Sequence, residues 1–271
     1  SKGYRAGGFN IQMFSDILQT ELNDHRQDAM KGDYDVPHTA EDYRRINETI
    51  AYKPETSWNF ELGAHLNLFQ QKLHWDMAAF YMRIQDQQLS VMAGNYGYGR
   101  MMVNAGRSHS CGLETTLRGA ALDSHFNWGL TYGYTRAVFD EYEDKDAAGN
   151  LVSYKDRYVP YVPQHTLSVQ ADYRWDFSRS LLRSLTFGLR LNAQGKTYWD
   201  ENNDYSQPFY ALLGAQVDAD FGFVGVSLWA KNLTKTRYNT FALQSAATGT
   251  AYCFAQQGNP FHCGVDIQFH F

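Results

Sequence analysis

Ser57-Trp58-Asn59-Phe60-Glu61-Leu62-Gly63-Ala64-His65-Leu66-Asn67-Leu68 alternates without a break. Trp58, Phe60, Leu62, Ala64, Leu66 and Leu68 occupy even positions, and Ser57, Asn59, Glu61, Gly63, His65 and Asn67 the odd ones. A period of two places the two sets on opposite faces of a β-strand, and a helical period of 3.6 cannot produce it. The same reading extends in both directions. Leu73, Trp75, Met77, Ala79 and Tyr81 form one face of the next segment, which turns polar beyond Arg83. Cys111 to Leu117, Phe126 to Tyr134, Leu167 to Trp175, Leu185 to Ala193, 209 to 219, 223 to 231 and Phe261 to Phe271 repeat the pattern. With a short opening strand near residues 1–8, about ten strands are expected.

The connections are graded in length. Short ones fall near 69–72, 121–124, 178–183 and 220–223, and long ones near 9–54, 91–106, 142–162, 200–208 and 233–260. Soluble antiparallel sheets also alternate apolar with polar residues. Two details point instead to lipid on the apolar face: the strands run well beyond the usual length of about five or six residues, and aromatics gather at strand ends (Phe126, Trp128, Trp175, Phe177, Tyr198, Trp199, Phe269, Phe271), as at a membrane interface. Short turns on one side and long loops on the other predict an all-β, antiparallel transmembrane β-barrel, with turns in the periplasm and loops outside the cell.

Composition agrees and excludes other classes. The 271 residues are 44% hydrophobic, 15% aromatic and 20% charged, with a formal net charge of -5. Disorder is excluded by this apolar content, and no basic excess supports a nucleic-acid partner. Mean hydropathy is -0.51 and no run of about 18 apolar residues occurs, which removes transmembrane helices but not transmembrane strands. Ser1 to Asn10 has neither the charged start nor the apolar core of a signal peptide.

Several stretches resemble one family, the TonB-dependent receptors of Gram-negative outer membranes. They are Ser1-Lys2-Gly3-Tyr4-Arg5-Ala6-Gly7-Gly8-Phe9-Asn10, Tyr52-Lys53-Pro54-Glu55 leading into Asn59-Phe60-Glu61-Leu62-Gly63, and Ala79-Phe80-Tyr81 with Gln85-Asp86-Gln87-Gln88. Asn104-Ala105-Gly106 before Gly112-Leu113-Glu114, Val162-Pro163 with His165-Thr166-Leu167, and Lys231-Asn232-Leu233-Thr234 with Tyr238 follow in the same order. At the end, His262, Gly264, Ile267, Phe269 and the terminal Phe271 are similar to the signal by which the barrel-assembly machinery recognises a last strand. Gly264 is expected to leave room for a neighbouring backbone. With Phe271 on the periplasmic side, counting strands backwards makes every long loop extracellular.

The resemblance implies a barrel of about 22 strands filled by a plug, and a TonB box engaged by TonB and its inner-membrane energising complex. Residues 1–271 are therefore expected to be the C-terminal portion of a barrel domain, with plug and TonB box absent from this chain. The implied activity is active transport of a scarce ligand: a ferric siderophore or another iron complex first, with haem, cobalamin and glycan as alternatives. Outer-membrane lipid and lipopolysaccharide, the barrel-assembly machinery and a small-molecule ligand are the remaining expected partners. No cofactor, metal or catalytic residue is implied.

The ligand is expected on the loops and upper wall. Arg26, Arg44 and Arg45 could clamp an anionic chelate through bidentate guanidinium contacts, and Tyr34, Tyr154, Tyr158 and Tyr205 could stack on it. Cys253 and Cys263, in the last external loop and at the top of the last strand, could form a disulfide in an oxidising compartment. Two other readings compete: an autonomous ten-stranded barrel acting as a passive pore, and a hydrolase in which His109, His165, Asp140 and Asp200 converge at the rim. No Gly-x-Ser-x-Gly nucleophile motif supports the hydrolase.

Overall fold

Alternation becomes geometry in the computed structural model, which describes residues 1–10, 40, 44, 48, 50–92, 100–145, 151–178, 181–245 and 252–270. The chain opens on β1 (Lys2–Arg5) and β2 (Gly8–Phe9), then continues through β3 (Ala51–Tyr52), β4 (Glu55–Leu68) and β5 (Leu73–Met92). Next come β6 (Arg100–Ala121), β7 (Phe126–Glu141), β8 (Glu143–Lys145), β9 (Leu151–Ser153), β10 (His165–Asp176) and β11 (Ser184–Gln194). Then follow β12 (Thr197–Tyr198), β13 (Ser206–Gln207), β14 (Tyr210–Asp220), β15 (Val224–Lys231), β16 (Asn239–Ser245), β17 (Tyr252–Gln257) and β18 (His262–Phe269).

Ten of them form one sheet in the order β1-β4-β5-β6-β7-β10-β11-β14-β15-β18. Each neighbour is the next long strand along the chain and every pairing is antiparallel, an up-and-down meander. The other eight make four two-stranded ribbons, β2-β3, β8-β9, β12-β13 and β16-β17, in the long connections. Among the described residues β1 and β18 each have one neighbour in the main sheet, which is an open arc.

Register carries the two faces across the arc. Leu62 lies opposite Ala79, Ala79 opposite Leu113 and Leu113 opposite Tyr134; at the other end Leu228 lies opposite Val265 and Val226 opposite Ile267. These apolar rows are bare: Leu62 is 80% exposed, Ile267 60% and Phe269 62%. An exposed apolar patch spanning this many strands far exceeds what a water-facing sheet tolerates, and it matches a wall that meets lipid. The opposite face carries Asn, Gln, Asp, Arg, Thr and Gly. A packed core lies at the loop end rather than between sheet layers: Ala105, Ala137, Phe139, Tyr142 and Val159 are buried together, with Leu89, Tyr154 and Val162 against them.

At the short-turn end, the Lys72 N–H donates to the Phe69 carbonyl at 3.2 Å and the His125 N–H to the Leu122 carbonyl at 3.0 Å. Both turns hold three consecutive non-glycine residues with positive φ: Phe69, Gln70 and Gln71 at 52°, 57° and 67°, and Leu122, Asp123 and Ser124 at 54°, 51° and 69°. Left-handed pairs match the twist of two-residue hairpins, at a steric cost of about 1–2 kcal/mol per non-glycine residue.

Two features depart from the sequence reading. The connection expected at 91–106 is largely strand: β5 has 20 residues and β6 has 22, and their pairing runs up to Met92 opposite Arg100. Above the apolar belt neither face must be apolar, so alternation fades while backbone pairing continues. The cysteines also correct an expectation: Cys253 and Cys263 are free thiols, as is Cys111. Pairing with Ala230 fixes Cys263 in β18 on the apolar outer face beside Val265, whereas Cys253 belongs to the separate β16-β17 ribbon opposite Gln244.

Candidate functional site

The polar face of β11, β14, β15 and β18 is hollowed near its loop end. The hollow has a volume of about 340 Å³ and is lined by Arg190, Gly214, Gln216, Trp229, Lys231 and His262. All six sit on the same parity as the polar set of their strands, so alternation alone directs them to the inner wall. Trp229 is the exception in character, an indole at a polar position. Its Nε1–H donates to Asp266 Oδ2 at 2.8 Å, and its ring passes across Gly264, where a Cβ would stand 2.5 Å from Trp229 Cζ2. Gly264 therefore makes room for a side chain, not for the neighbouring backbone that the sequence suggested.

An ammonium and an imidazole flank this ring. Lys231 Nζ lies 5.2 Å from the Trp229 ring centroid. The His262 ring meets the indole edge-on at 5.7 Å, and its Nδ1 lies 2.8 Å from the Pro260 carbonyl. A carbonyl only accepts, so Nδ1 carries the proton. Arg190 pairs with Asp172 at 2.8 Å. Tyr238 closes the upper end, stacked on Tyr210 at 4.5 Å. Asn232 holds this corner: its Oδ1 accepts from the Thr236 N–H at 2.9 Å while Nδ2 donates to the Thr236 and Asn259 carbonyls at 2.9 and 3.1 Å.

Above the wall, tyrosines tie the loops together. Tyr154 stacks on Tyr142 at 4.9 Å and Tyr142 tilts against Phe139 at 5.1 Å. Burial, with the Asp144 and Glu201 carboxylates adding to it, holds the Tyr142 phenol above its ordinary range. Tyr158 stacks on Tyr198 at 5.4 Å, and Tyr161 on Phe241 at 5.8 Å while its hydroxyl donates to the Ala242 carbonyl at 3.1 Å. Asp200 Oδ1 accepts the Tyr205 N–H at 2.8 Å.

The sequence-derived candidates are thus distributed. Tyr154 is spent within the buried cluster, whereas Tyr158 and Tyr205 are half-buried on the rim. Arg44 is exposed and pairs with Glu48 at 3.3 Å. Arg26, Tyr34, Arg45 and Phe271 lie outside the described residues. Ile267 and Phe269 face outward from β18.

The hydrolase constellation does not assemble. His109 pairs with Asp140 at 2.7 Å, His165 Nδ1 contacts the Tyr132 hydroxyl at 2.9 Å, and Asp200 caps its own loop.

Sequence reading missed the amides that fasten the loops. Buried Asn10 donates to the Met102 carbonyl at 2.8 Å and accepts the Met102 N–H at 2.7 Å, acting as an extra strand residue for β6. Asn104 accepts the Lys53 N–H at 2.6 Å and donates to the Lys53 carbonyl at 3.1 Å. Gln88 Nε2 reaches the Ala6 and Lys53 carbonyls at 2.8 and 3.1 Å. Asn10, Gln88, Asn104 and Asn232 all lie within the motifs quoted above, so the signal was visible but its role was not.

Residues 1–233 match the family model described as TonB dependent receptor-like, beta-barrel. Among solved structures, the ferric yersiniabactin uptake receptor FyuA of Yersinia pestis superposes with a TM-score of 0.68 at 19% identity, covering 100% of this chain and 34% of that one. The siderophore receptor PiuA of Acinetobacter baumannii gives 0.61 at 21% identity over 87% of this chain and 30% of its own. The ferric-catecholate import receptor Fiu of E. coli K12 gives 0.58 at 16% identity over 81% and 28%. The chain spans about a third of the length of these structures. Bare apolar rows outside, a hollowed polar wall inside and the match over most of its length agree: the chain belongs to the TonB-dependent receptor β-barrel family of the Gram-negative outer membrane.

Proposed function

We propose that this chain forms the C-terminal part of the wall of a receptor that imports an iron complex, a ferric siderophore before haem, cobalamin or glycan, with energy from TonB. The observation that carries the reading is the inner-wall hollow, where Lys231 and His262 flank the Trp229 ring and Arg190 adds a second fixed cation to the lining. Fixed cations attract an anionic chelate, and an indole with a tyrosine beside it offers faces on which a flat chelating group can stack. In this proposal Arg26, Tyr34, Arg44, Arg45, Tyr158 and Tyr205 make the first encounter at the rim, and the plug completes the site from within the lumen. His262 and Gly264, together with Ile267, Phe269 and Phe271, additionally serve recognition by the barrel-assembly machinery.

Radiolabelled iron uptake by iron-starved cells, supplied with a panel of hydroxamate, catecholate and carboxylate chelates, tests the reading. Uptake of one chelate class should require the energised partner and fall at least tenfold in a Lys231→Ala/Trp229→Ala variant present at normal level in the outer membrane. Uptake that persists without the partner, or that ignores both substitutions, would sink the assignment.

A further inference from the structure

Charge on the inner wall is ordered by height around Trp229. Lys231 lies opposite His262 in the upper row, Gln216 opposite Trp229 in the next, and Asp218, Ser227 and Asp266 face one another in the third. A cation thus stands above the indole and two carboxylates stand below it. From Lys231 down to Ser227 the strand covers about 13 Å. The side chains close much of that distance, because Lys231 Nζ leans to 5.2 Å from the ring centroid while Asp266 Oδ2 accepts the indole N–H at 2.8 Å. One ring therefore has a cation toward one side and a carboxylate at its edge.

These charges are not spent on one another. Arg190 is committed to Asp172 at 2.8 Å, whereas Lys231, Asp218 and Asp266 form no ion pair among the described residues. Asp218 Oδ1 accepts the Ser227 hydroxyl at 2.5 Å and the Gln216 amide at 2.7 Å. Hydroxyl, amide and indole are neutral donors, so they orient the two carboxylates without cancelling their charge. Both acids lean toward β15, Asp218 to Ser227 and Asp266 to Trp229, which draws them together over the strand between them. A purely anionic chelate is attracted at the top of this wall and repelled at its foot.

We propose that the hollow receives one arm of a zwitterionic iron chelate. The anionic metal-binding group of that arm lies against Trp229 and Lys231, and a protonated amine on its tether is held between Asp218 and Asp266. The inference rests on the import reading and narrows its ligand to chelates that carry a free amine. A hollow of about 340 Å³ is at the small end of the range for ligand pockets, which suits one flat arm rather than a whole iron complex. An ammonium brings three donors and no acceptor, so it meets two carboxylates without leaving a repelled lone pair. Charge-assisted bonds of this kind are about twice as strong as neutral ones.

The test titrates the intact receptor, purified in mild detergent, with two matched pairs of ferric chelates and reads dissociation constants by calorimetry. One pair is a bis-catecholate built on spermidine with its central amine free or acetylated; the other is a citrate-centred bis-hydroxamate with one side amine free or acetylated. In at least one pair the free amine should bind at least tenfold more tightly, with an advantage that shrinks as salt rises. Asp218→Asn/Asp266→Asn, which keeps acceptors for Ser227, Gln216 and Trp229 but removes the charge, should bind both members of that pair alike. Lys231→Gln should weaken both members equally, because they share the anionic arm. Heat-modifiable migration on gels establishes that each variant is folded, and the two forms compared on the unaltered protein keep the test decisive if one is not. No preference for the amine in either pair, tighter binding of an acetylated form, or a preference that survives the double-asparagine variant would overturn the proposal. Energised uptake of a chelate from the panel alongside any of those results leaves the import reading standing, whereas its absence removes that reading and this inference with it.

Discussion

The side chain of Asn203 grips the peptide of Tyr158 from both sides, its Oδ1 accepting the Tyr158 N–H at 2.7 Å and its Nδ2 donating to the Tyr158 carbonyl at 2.9 Å. Asn203 itself sits at φ 63°, a left-handed position that asparagine tolerates better than most residues. One amide thus does the work of a strand neighbour and joins two extracellular connections. Nδ2 also reaches the Asp200 carbonyl at 3.1 Å.

Asn203→Ala should leave both Tyr158 groups without a protein partner, costing about 1–3 kcal/mol locally. Amide exchange at Tyr158 should accelerate by about ten- to a hundredfold while the amides of β10 and β11 keep their protection. Unchanged exchange at Tyr158 would show that the clamp is dispensable.

Gly264→Ala should displace the Trp229 indole and break its bond to Asp266, with an overpacking cost of about 1–3 kcal/mol. Trp229→Ala in the same chain should cancel most of that cost, so a double-mutant cycle read by unfolding in lipid vesicles provides the check. Additive effects would refute the contact.

Tyr142 supplies a pH dependence. Its phenol is held above its ordinary pKa, so the packed cluster keeps its full stability below about pH 10, the unfolded tyrosine value, and loses it as pH rises toward the folded value. Tyrosinate absorbance should show a late-titrating phenol that is lost in Tyr142→Phe, a variant whose alkaline loss of loop structure should also be smaller. A phenol titrating near 10 would contradict the burial argument.

The periplasmic turns are strained at Gln71 and Ser124, whose side chains make no polar contact among the described residues. Gln71→Gly at φ 67° and Ser124→Gly at φ 69° should each stabilise the folded sheet by about 1 kcal/mol, measured as a higher temperature for loss of heat-modifiable mobility. Loss of stability would mean the side chains serve another purpose there.

Depth should grade the cost of charge on the outer face. Leu189→Arg lies five residues up β11 from Ser184, and about 2–4 kcal/mol is expected there, against about 0–1 for Phe269→Arg at the short-turn end of β18. Equal costs would argue that this face does not meet lipid.

Strand identity, strand order and the two faces were legible from sequence because a period of two is a property of the backbone itself. Where one face must meet lipid and the other water, each residue declares its side. That requirement ends above Tyr81, and the tops of β5 and β6, residues 91–92 and 100–106, were accordingly mistaken for loop. The hollow was harder to foresee. Arg190, Lys231 and His262 read as ordinary polar-face residues, and only pairing across four strands makes them neighbours. Trp229 was the available clue, an aromatic that breaks the alternation inward. The amide clamps were equally hidden, since a peptide-mimicking asparagine needs a partner about ninety residues distant, as Met102 is for Asn10.

The overshoot of β5 and β6 has an electrostatic consequence. From Tyr81 to Met92 the strand rises about 36 Å, or about 28 Å above the apolar belt at a tilt of about 40°. In physiological salt, fields decay over about 8 Å. An anion reaching that rim is therefore more than three screening lengths from the charged leaflet and has escaped most of its repulsion.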